Sequence, residues 1–324
     1  MKVATVTLDL GSRPDPAVSY REASRRIAAV VATEAGEPLS PEGPSIALLT
    51  GDRTERAVVL FHGYTTVPRQ FLVLAKAYRA AGCNVWVPRM PYHGYADRLT
   101  RSLSRLTGPV FRTYADRAVD IGVGLGDQVT VAGLSGGGAL ATWCAVERPE
   151  VTDTCAISPL MQPRGVPEWA TRALVAALPH TPDLYAWWYP RLKDQMPGYG
   201  YPRFSYKGIG ALLELVYWAE RVAARRPHPV TGRFTLVKND GDDRLDSEFD
   251  ARVVKRLVPP DRLTIHTIPA SEGLIHDIVT PDEFGENHAR IRLAYRHLSE
   301  ALGVELPDPS RTDAFAEAGP RATG

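Results

Sequence analysis

The chain has 324 residues, of which 44% are hydrophobic and 23% charged, and its net charge is +1. This composition is typical of a globular protein, and the length allows one large α/β domain or two smaller ones. A near-neutral charge without any basic block argues against a nucleic-acid partner. The sequence also has no run of about 18 apolar residues, so we expect no stable insertion into a membrane.

The amino terminus and the cysteines bear on the compartment. The opening MKVATVTLDLGSRPDP contains no apolar core of signal-peptide length. Cys83, Cys144 and Cys155 have no metal-ligand spacing. We therefore expect reduced, buried thiols in a cytoplasmic protein, with a Cys144–Cys155 disulfide as the alternative. Residues 1–43 match no recognisable pattern and are candidates for early antiparallel strands. The oligomeric state, monomer or homodimer, stays open.

Apolar runs and helical segments alternate along most of the chain. Runs rich in β-branched residues predict strands at 45–50, 57–62, 84–88, 128–134, 153–158, 233–239 and 262–269. The strongest runs are apolar at most positions, as in parallel strands that are covered on both faces. Helical periodicity is found between them, at 69–82, 110–126, 137–149, 246–258 and 281–302. The alternation predicts a doubly wound, mostly parallel α/β sheet.

One region interrupts this alternation. Residues 161–229 contain no convincing strand, are rich in prolines and aromatic residues, and show helical periodicity at 167–178 and 209–226. We interpret this region as a helical cap inserted into a core made of residues 1–160 and 230–302. The remaining segment, 303–324, is predicted to be a disordered tail because most of its residues are small or polar.

A glycine-rich stretch, VTVAGLSGGGALA at 129–141, contains GLSGG at 133–137 and fits the pattern Gly-x-Ser-x-Gly. A strand that turns sharply into a helix strains the residue at the turn, and the residues two positions away must lack a β-carbon. A P-loop is excluded because no lysine follows, and the Gly-x-Gly-x-x-Gly pattern is not matched. The stretch predicts that Ser135 is a nucleophile held at the head of a helix.

A serine nucleophile needs a general base, and the base needs an orienting acid. The loop DGDDRLD at 240–246 follows a predicted strand and supplies four carboxylates. We favour Asp243, which lies at the end of the turn, and keep Asp242 as the first alternative. Asp240 and Asp246 are interpreted as a turn former and a helix cap.

The predicted base is His276, in the loop ASEGLIHDI just before the last helix. From that loop an imidazole can reach back over the ends of the strands. His266 lies in a predicted strand, and His288 and His297 lie in the last helix. We interpret these three as structural or surface residues.

Attack on a carbonyl creates an oxyanion, for which hydrogen-bond donors must be in place. The loop FHGYTT at 61–66 follows a predicted strand, and we expect the amides of Tyr64 and Gly136 to be the two donors. His62 is expected to support this loop from below and not to act as a base.

Taken together, these motifs resemble the α/β-hydrolase family, near its esterase and monoacylglycerol-lipase-like members. The matching pieces are HGYT at 62–65, GLSGG at 133–137, DGDDRLD at 240–246 and HD at 276–277. The loop PRMPYHGY at 88–95 resembles a family loop with a GHG-like turn. Pro91-Tyr92 replaces part of that turn, so His93 receives no catalytic role. The resemblance implies a lid where the aromatic insertion falls.

The resemblance and the motifs together favour a serine carboxylesterase that needs no metal or organic cofactor. Its substrate would be a small-molecule ester with lipophilic or aromatic groups, since an aromatic-rich cap makes an apolar pocket. The same triad would also serve a peptidase or amidase, an acyltransferase or a carbon–carbon-bond hydrolase. A non-catalytic binding module is the alternative from another class, because a fold alone does not fix chemistry.

Overall fold

The structure is a computed structural model that describes residues 8–196, 198–281 and 287–308. The strands in this part of the chain are β1 (Ile46–Leu48), β2 (Thr54–Phe61), β3 (Asn84–Val87), β4 (Gly126–Leu134), β5 (Val151–Ile157), β6 (Tyr185–Trp187), β7 (Arg203–Ser205), β8 (Arg233–Asn239) and β9 (Leu263–Ile268). The α-helices are α1 (Tyr20–Glu34), α2 (Leu72–Ala80), α3 (Gly108–Leu125), α4 (Gly136–Glu147), α5 (Glu168–Ala177), α6 (Tyr206–Arg225), α7 (Ser247–Leu257) and α8 (His288–Leu302).

Seven strands form one sheet in the order β1-β3-β2-β4-β5-β8-β9. Only β1 runs antiparallel, against β3, and the other pairings are parallel. The predicted mostly parallel sheet is confirmed, and each of its seven strands coincides with one of the apolar runs. All parallel strands therefore end at the same edge, where sites in open α/β sheets form.

Helices cover both faces of the sheet. Val59 and Phe61 of β2 pack in one apolar cluster with α3, α4 and α6. Val58 and Leu60, which alternate with them, pack on the other face with α2 and α8. Both sets of side chains are buried, which explains why the central strands are apolar at every position.

The amino-terminal region differs from our expectation. Residues 20–34 form the helix α1, so antiparallel strands in the described part of residues 1–43 were a wrong prediction. The Ser19 hydroxyl accepts a hydrogen bond from the Glu22 amide (3.2 Å), and the Glu22 carboxylate accepts one from the Val18 amide (3.0 Å). This Ser-x-x-Glu pattern is the capping signature of a helix and could have been recognised in the sequence.

The helix that follows Ser135 is anchored by contacts in its second half and just past its carboxyl end. The indole of Trp143 in α4 donates to the Leu10 carbonyl (3.0 Å). Just past the helix, the buried guanidinium of Arg148 bonds the carboxylates of Asp116 (3.1 Å) and Asp120 (2.6 Å) in α3. Because removing one partner of a buried ion pair leaves an uncompensated charge, these contacts hold α4 firmly in place.

The region 161–229 contains the two helices that were predicted, α5 and α6, but also a short antiparallel hairpin of β6 and β7. The prediction that it lacks strands was therefore wrong. Each of these strands has three residues, too few for a period to be recognised in sequence. α6 contributes Leu212 and Leu215 to the main apolar cluster, so it belongs to the packed body of the protein.

The carboxyl-terminal segment packs further than predicted. Gly303 ends α8 with φ 64°, and Val304 and Leu306 are buried against the face formed by α2 and α8. Disorder from residue 303 is therefore wrong for residues 303–308, whereas 309–324 lie outside the described residues.

Cys83, Cys144 and Cys155 are buried free thiols, so the Cys144–Cys155 disulfide does not form. Within the described ranges, no helix has the length and apolar character that crossing a bilayer requires.

Candidate active site

Ser135 lies at the junction of β4 and α4, with φ 56° and ψ −116°. Positive φ is rare for a residue with a side chain and is a strained conformation. A β-carbon on Gly133 would lie 2.2 Å from the Gly137 carbonyl oxygen, and one on Gly137 would lie 2.0 Å from that of Phe61. Only glycine fits at these two positions without a clash against a backbone carbonyl oxygen, as the sequence pattern predicts. Ser135 is only partly covered, whereas Leu134 and Gly136 are buried.

His276 lies in the loop after β9, and its Nδ1 is 2.6 Å from Oδ2 of Asp242, in the loop after β8. Both side chains are buried, and Asp242 is 1% exposed. Burial alone raises the pKa of Asp242, but the hydrogen bond from His276 and those from the amides of Arg244 and Leu245 lower it below its usual value. An ionised carboxylate thus fixes the imidazole and leaves Nε2 as the nitrogen that can exchange a proton.

The structure brings Asp242 to His276, and not Asp243, which the sequence favoured. The Asp242 amide donates to the Asn239 carbonyl (3.2 Å), which closes a tight turn at the end of β8. The turn directs Asp242 inward and leaves Asp243 exposed. Asp240 pairs with Lys238 (2.6 Å), and Asp246 caps α7 by accepting from the Phe249 amide (2.9 Å). Asp246 is therefore the helix cap that the sequence predicts, and the Asp240 carboxylate takes part in an ion pair.

The loop that carries His276 is held by two amide side chains that the sequence analysis missed. Asn239 donates to the carbonyls of Leu274 (3.2 Å) and Ile275 (2.9 Å). Gln70 donates to the carboxylate of Asp277 (2.7 Å) and accepts from the Gly63 amide (2.6 Å). Gln70 therefore joins the loop of His276 to the loop after β2. No local pattern distinguishes it, because its partners are 7 and 207 residues away.

The two predicted oxyanion donors belong to neighbouring residues. A β-carbon placed on Gly136 would lie 3.2 Å from the Tyr64 amide nitrogen and 3.0 Å from the Tyr64 Cβ. The loop after β2 thus passes directly beside the start of α4. Gly136 also lies at a helix amino terminus, where free amides and the helix dipole favour negative charge.

Two buried imidazoles support this loop. His62 Nε2 accepts from the Met90 amide (2.9 Å), and His93 Nε2 accepts from the Thr65 amide (3.1 Å). Burial lowers the pKa of His62 well below its ordinary value and that of His93 to about 4. Both rings are neutral near pH 7 and act as acceptors. His62 thus lies where the sequence analysis expected it, and His93 helps to hold the loop in shape.

The region 161–229 also contacts this loop. The Tyr64 hydroxyl donates to the Ser205 carbonyl (3.0 Å), and the Trp188 indole donates to the Thr65 hydroxyl (2.8 Å). The Arg244 guanidinium, two residues after Asp242, lies 5.0 Å from the centre of the Trp188 ring. The hairpin β6–β7 and its flanks therefore touch both the loop after β2 and the loop after β8.

The geometry can be compared with that of known proteins. The alpha/beta hydrolase family model matches residues 58–284. A segment of 110 residues is 31% identical to the thermostable monoacylglycerol lipase of Bacillus sp. (strain H-257). That segment spans 32% of this chain and 39% of the relative, so the chain matches about two fifths of that protein's length.

Two solved structures are similar in fold. One, from work on LipS and LipT, two metagenome-derived lipolytic enzymes, has a TM-score of 0.57 and 18% identity, covering 82% of this chain and 99% of its own. The other, the monoacylglycerol lipase of Paleococcus ferrophilus, has a TM-score of 0.53 and 18% identity, covering 79% and 98%. With the sheet, the turn at Ser135 and the family match over residues 58–284, the chain is a member of the alpha/beta hydrolase family.

Proposed function

We propose that the protein is a serine hydrolase that cleaves carboxylic esters with the triad Ser135, His276 and Asp242. The observation that carries the proposal is the 2.6 Å bond between His276 Nδ1 and the buried Asp242 carboxylate. That pair lies at the same edge of the sheet as the strained turn of Ser135. A serine, an imidazole and a carboxylate in this chain order are the elements of acyl transfer in this fold.

The reaction proceeds in two halves. His276 Nε2 removes the Ser135 proton while the hydroxyl oxygen attacks the ester carbonyl, and the imidazolium then protonates the departing alcohol. Water, deprotonated by the same nitrogen, attacks the acyl-enzyme, and Ser135 regains its proton when the acid is released. Asp242 keeps the useful tautomer and stabilises the imidazolium. The amides of Tyr64 and Gly136 stabilise the oxyanion of both tetrahedral intermediates.

We further propose that residues 161–229 cap the site and make it suit lipophilic or aromatic acyl esters. Leu212 of α6 lies against the Gly136 position, which supports an apolar wall beside the oxyanion. The rings of Trp188 and Phe204 lie with their centroids 4.3 Å apart and tilted by 38°, and the Trp188 indole bonds Thr65, which supports a second apolar wall. The relative from Bacillus sp. (strain H-257) is a monoacylglycerol lipase, which supports the same substrate class. The three buried thiols are consistent with a cytoplasmic location.

The proposal is tested with an aryl-ester assay and an organophosphonate probe. We expect the wild-type chain to hydrolyse esters and to carry the probe on Ser135, as located by peptide mass spectrometry. Ser135→Ala should lower kcat by about 10⁵-fold to 10⁶-fold and abolish labelling. The matched control is Ser24→Ala in α1, a partly buried serine outside the proposed triad and the oxyanion loops, which should hydrolyse esters and take the probe as the wild type does.

Failure has a clear form. If the folded wild-type chain neither hydrolyses esters nor takes the probe, or if labelling persists in Ser135→Ala, the proposal is wrong. A panel of esters of increasing acyl length, with matched anilides, then tests the substrate class. Preference for anilides or for short polar acyl groups would contradict it.

A further inference from the structure

A cluster of imidazoles and carboxylates lies at the open edge of the sheet, away from the bond between His276 and Asp242. It joins His266 of the edge strand β9 to His297 and Glu300 of α8, with Glu272 in the connecting loop. His266 Nε2 lies 2.8 Å from His297 Nδ1 and 4.0 Å from a Glu300 carboxylate oxygen. His297 Nε2 lies 2.6 Å from a Glu272 carboxylate oxygen. The proposed ester chemistry uses none of these groups.

The hydrogen bonds define which nitrogens are available. A carboxylate can only accept, so Nε2–H of His297 donates to Glu272, and Nδ1 of the neutral ring carries the lone pair. With both rings neutral, His266 Nε2–H then donates to that lone pair. An imidazole that gives one N–H to a carboxylate and presents its other nitrogen outward is the arrangement found around metal-bound histidines. Glu272 thus orients His297 as a supporting carboxylate does.

The spacing of the possible ligands also fits an ion. One ligand atom from each of His266, His297 and Glu300 lies within 4.8 Å of the other two. Donor atoms that share a tetrahedral ion at about 2.0–2.2 Å lie about 3.3–3.6 Å apart. The observed 2.8 Å and 4.0 Å bracket that spacing. Glu300 is 57% exposed and three residues from His297 on the same helix face, so its carboxylate can close the remaining gap.

We propose that His266, His297 and Glu300 bind one divalent transition-metal ion of the zinc class, with Glu272 orienting His297. Two imidazole nitrogens and one carboxylate oxygen favour zinc over magnesium or calcium, which prefer oxygen ligands. On binding, His266 carries its proton on Nδ1 and gives Nε2 to the ion, so this change of tautomer releases no proton. The fourth position faces solvent and takes water.

The position of the cluster gives the ion a structural consequence. His266 comes before the loop that carries His276, Glu272 lies within that loop, and His297 and Glu300 follow it. An ion at this point ties the edge strand to the last helix and closes the ends of the loop together. This inference does not depend on the identity of the ester or on the triad.

The test is calorimetric titration of the tag-free, EDTA-treated full chain with Zn²⁺. We expect saturable binding of one ion per chain and a visible Co²⁺ spectrum typical of tetrahedral coordination. His266→Gln and Glu300→Gln should each weaken binding at least ten-fold, and Glu272→Gln by about 10-fold to 100-fold. His288→Gln, which removes an exposed histidine at the start of α8, is the matched control and should bind normally.

Stability gives a second readout. Zn²⁺ should raise the Tm of the wild type and of His288→Gln, because an ion that binds only the folded state stabilises it. Zn²⁺ should not raise the Tm of Glu300→Gln. Because the Glu300 side chain is exposed, its replacement should leave the fold intact, so loss of the Tm increase would reflect loss of the ligand. Absence of saturable binding, or binding that is unchanged in both His266→Gln and Glu300→Gln, overturns the proposal. Equal affinity for Mg²⁺ and Zn²⁺ does so as well.

Discussion

Ser135 and Asp242 each lie between a parallel strand and the helix that follows it, yet the two connections are held in different ways. Around Ser135 the backbone itself decides the shape, since any side chain at Gly133 or Gly137 would collide with a carbonyl oxygen. Around Asp242 the shape of the loop depends on side chains. Asp242 accepts a hydrogen bond from a backbone amide, Asp240 pairs with Lys238, and Asp246 caps α7. Steric constraints on the backbone can be recognised from a short sequence motif. Constraints made by side-chain contacts depend on partners that come together only in the folded protein.

Among substitutions that leave Ser135 in place, the largest expected effect comes from the loop of Asp242. Asp242→Asn should lower kcat for ester hydrolysis by about 10⁴-fold, because an amide at this position favours the wrong tautomer of His276. Asp243→Asn is the matched control, one residue away and exposed, and should leave kcat near the wild-type value. Steady-state kinetics of both variants, with circular dichroism to confirm folding, decides between the two carboxylates. A large loss in Asp243→Asn alone would return the role to that residue.

The second prediction tests the turn of Ser135. Gly137→Ala puts a methyl group 2.0 Å from the Phe61 carbonyl oxygen and should lower the free energy of unfolding by about 3 kcal/mol or more. In Gly36→Ala the nearest atom lies at 3.5 Å, an ordinary contact, so the change should stay below about 1 kcal/mol. Urea unfolding measures both. Equal stability of Gly137→Ala and wild type would show that the turn is not held by sterics.

The smallest effect concerns the loop after β2, which combines backbone and side-chain constraints. An unfolded histidine takes up a proton as the pH falls below about 6.5, whereas burial holds the pKa of folded His93 at about 4. The stability that neutral His93 provides is therefore present above pH 6.5 and is lost as the pH falls towards 4.

This loss can be isolated with His93→Gln, in which an amide oxygen can still accept from Thr65 but does not titrate. Between pH 7 and pH 4.5 the wild type should lose about 2–3 kcal/mol more stability than the variant. Urea unfolding at the two pH values measures this difference. Parallel losses in the two proteins would mean that His93 does not titrate as inferred.

The same division explains what the sequence could predict. The seven strands of the main sheet follow from continuous apolar runs, and the turn of Ser135 follows from glycine spacing, because both signals are local. Helix α1 was missed although its Ser19 and Glu22 carry a local capping pattern. The hairpin β6–β7 is too short to have a period. Gln70 and the choice of Asp242 over Asp243 depend on contacts between distant loops, which no local pattern contains.

The hairpin β6–β7 has a consequence for protein engineering. Exchange of substrate-facing segments between members of a fold is a common route to new specificity, and the cap that we propose at residues 161–229 would be the segment to exchange. Trp188 and Ser205, however, bond Thr65 and Tyr64. A graft that replaces the hairpin would therefore also remove the hydrogen bonds that hold the loop after β2 in place. A graft limited to α5, where Trp169 is 74% exposed, leaves those hydrogen bonds intact.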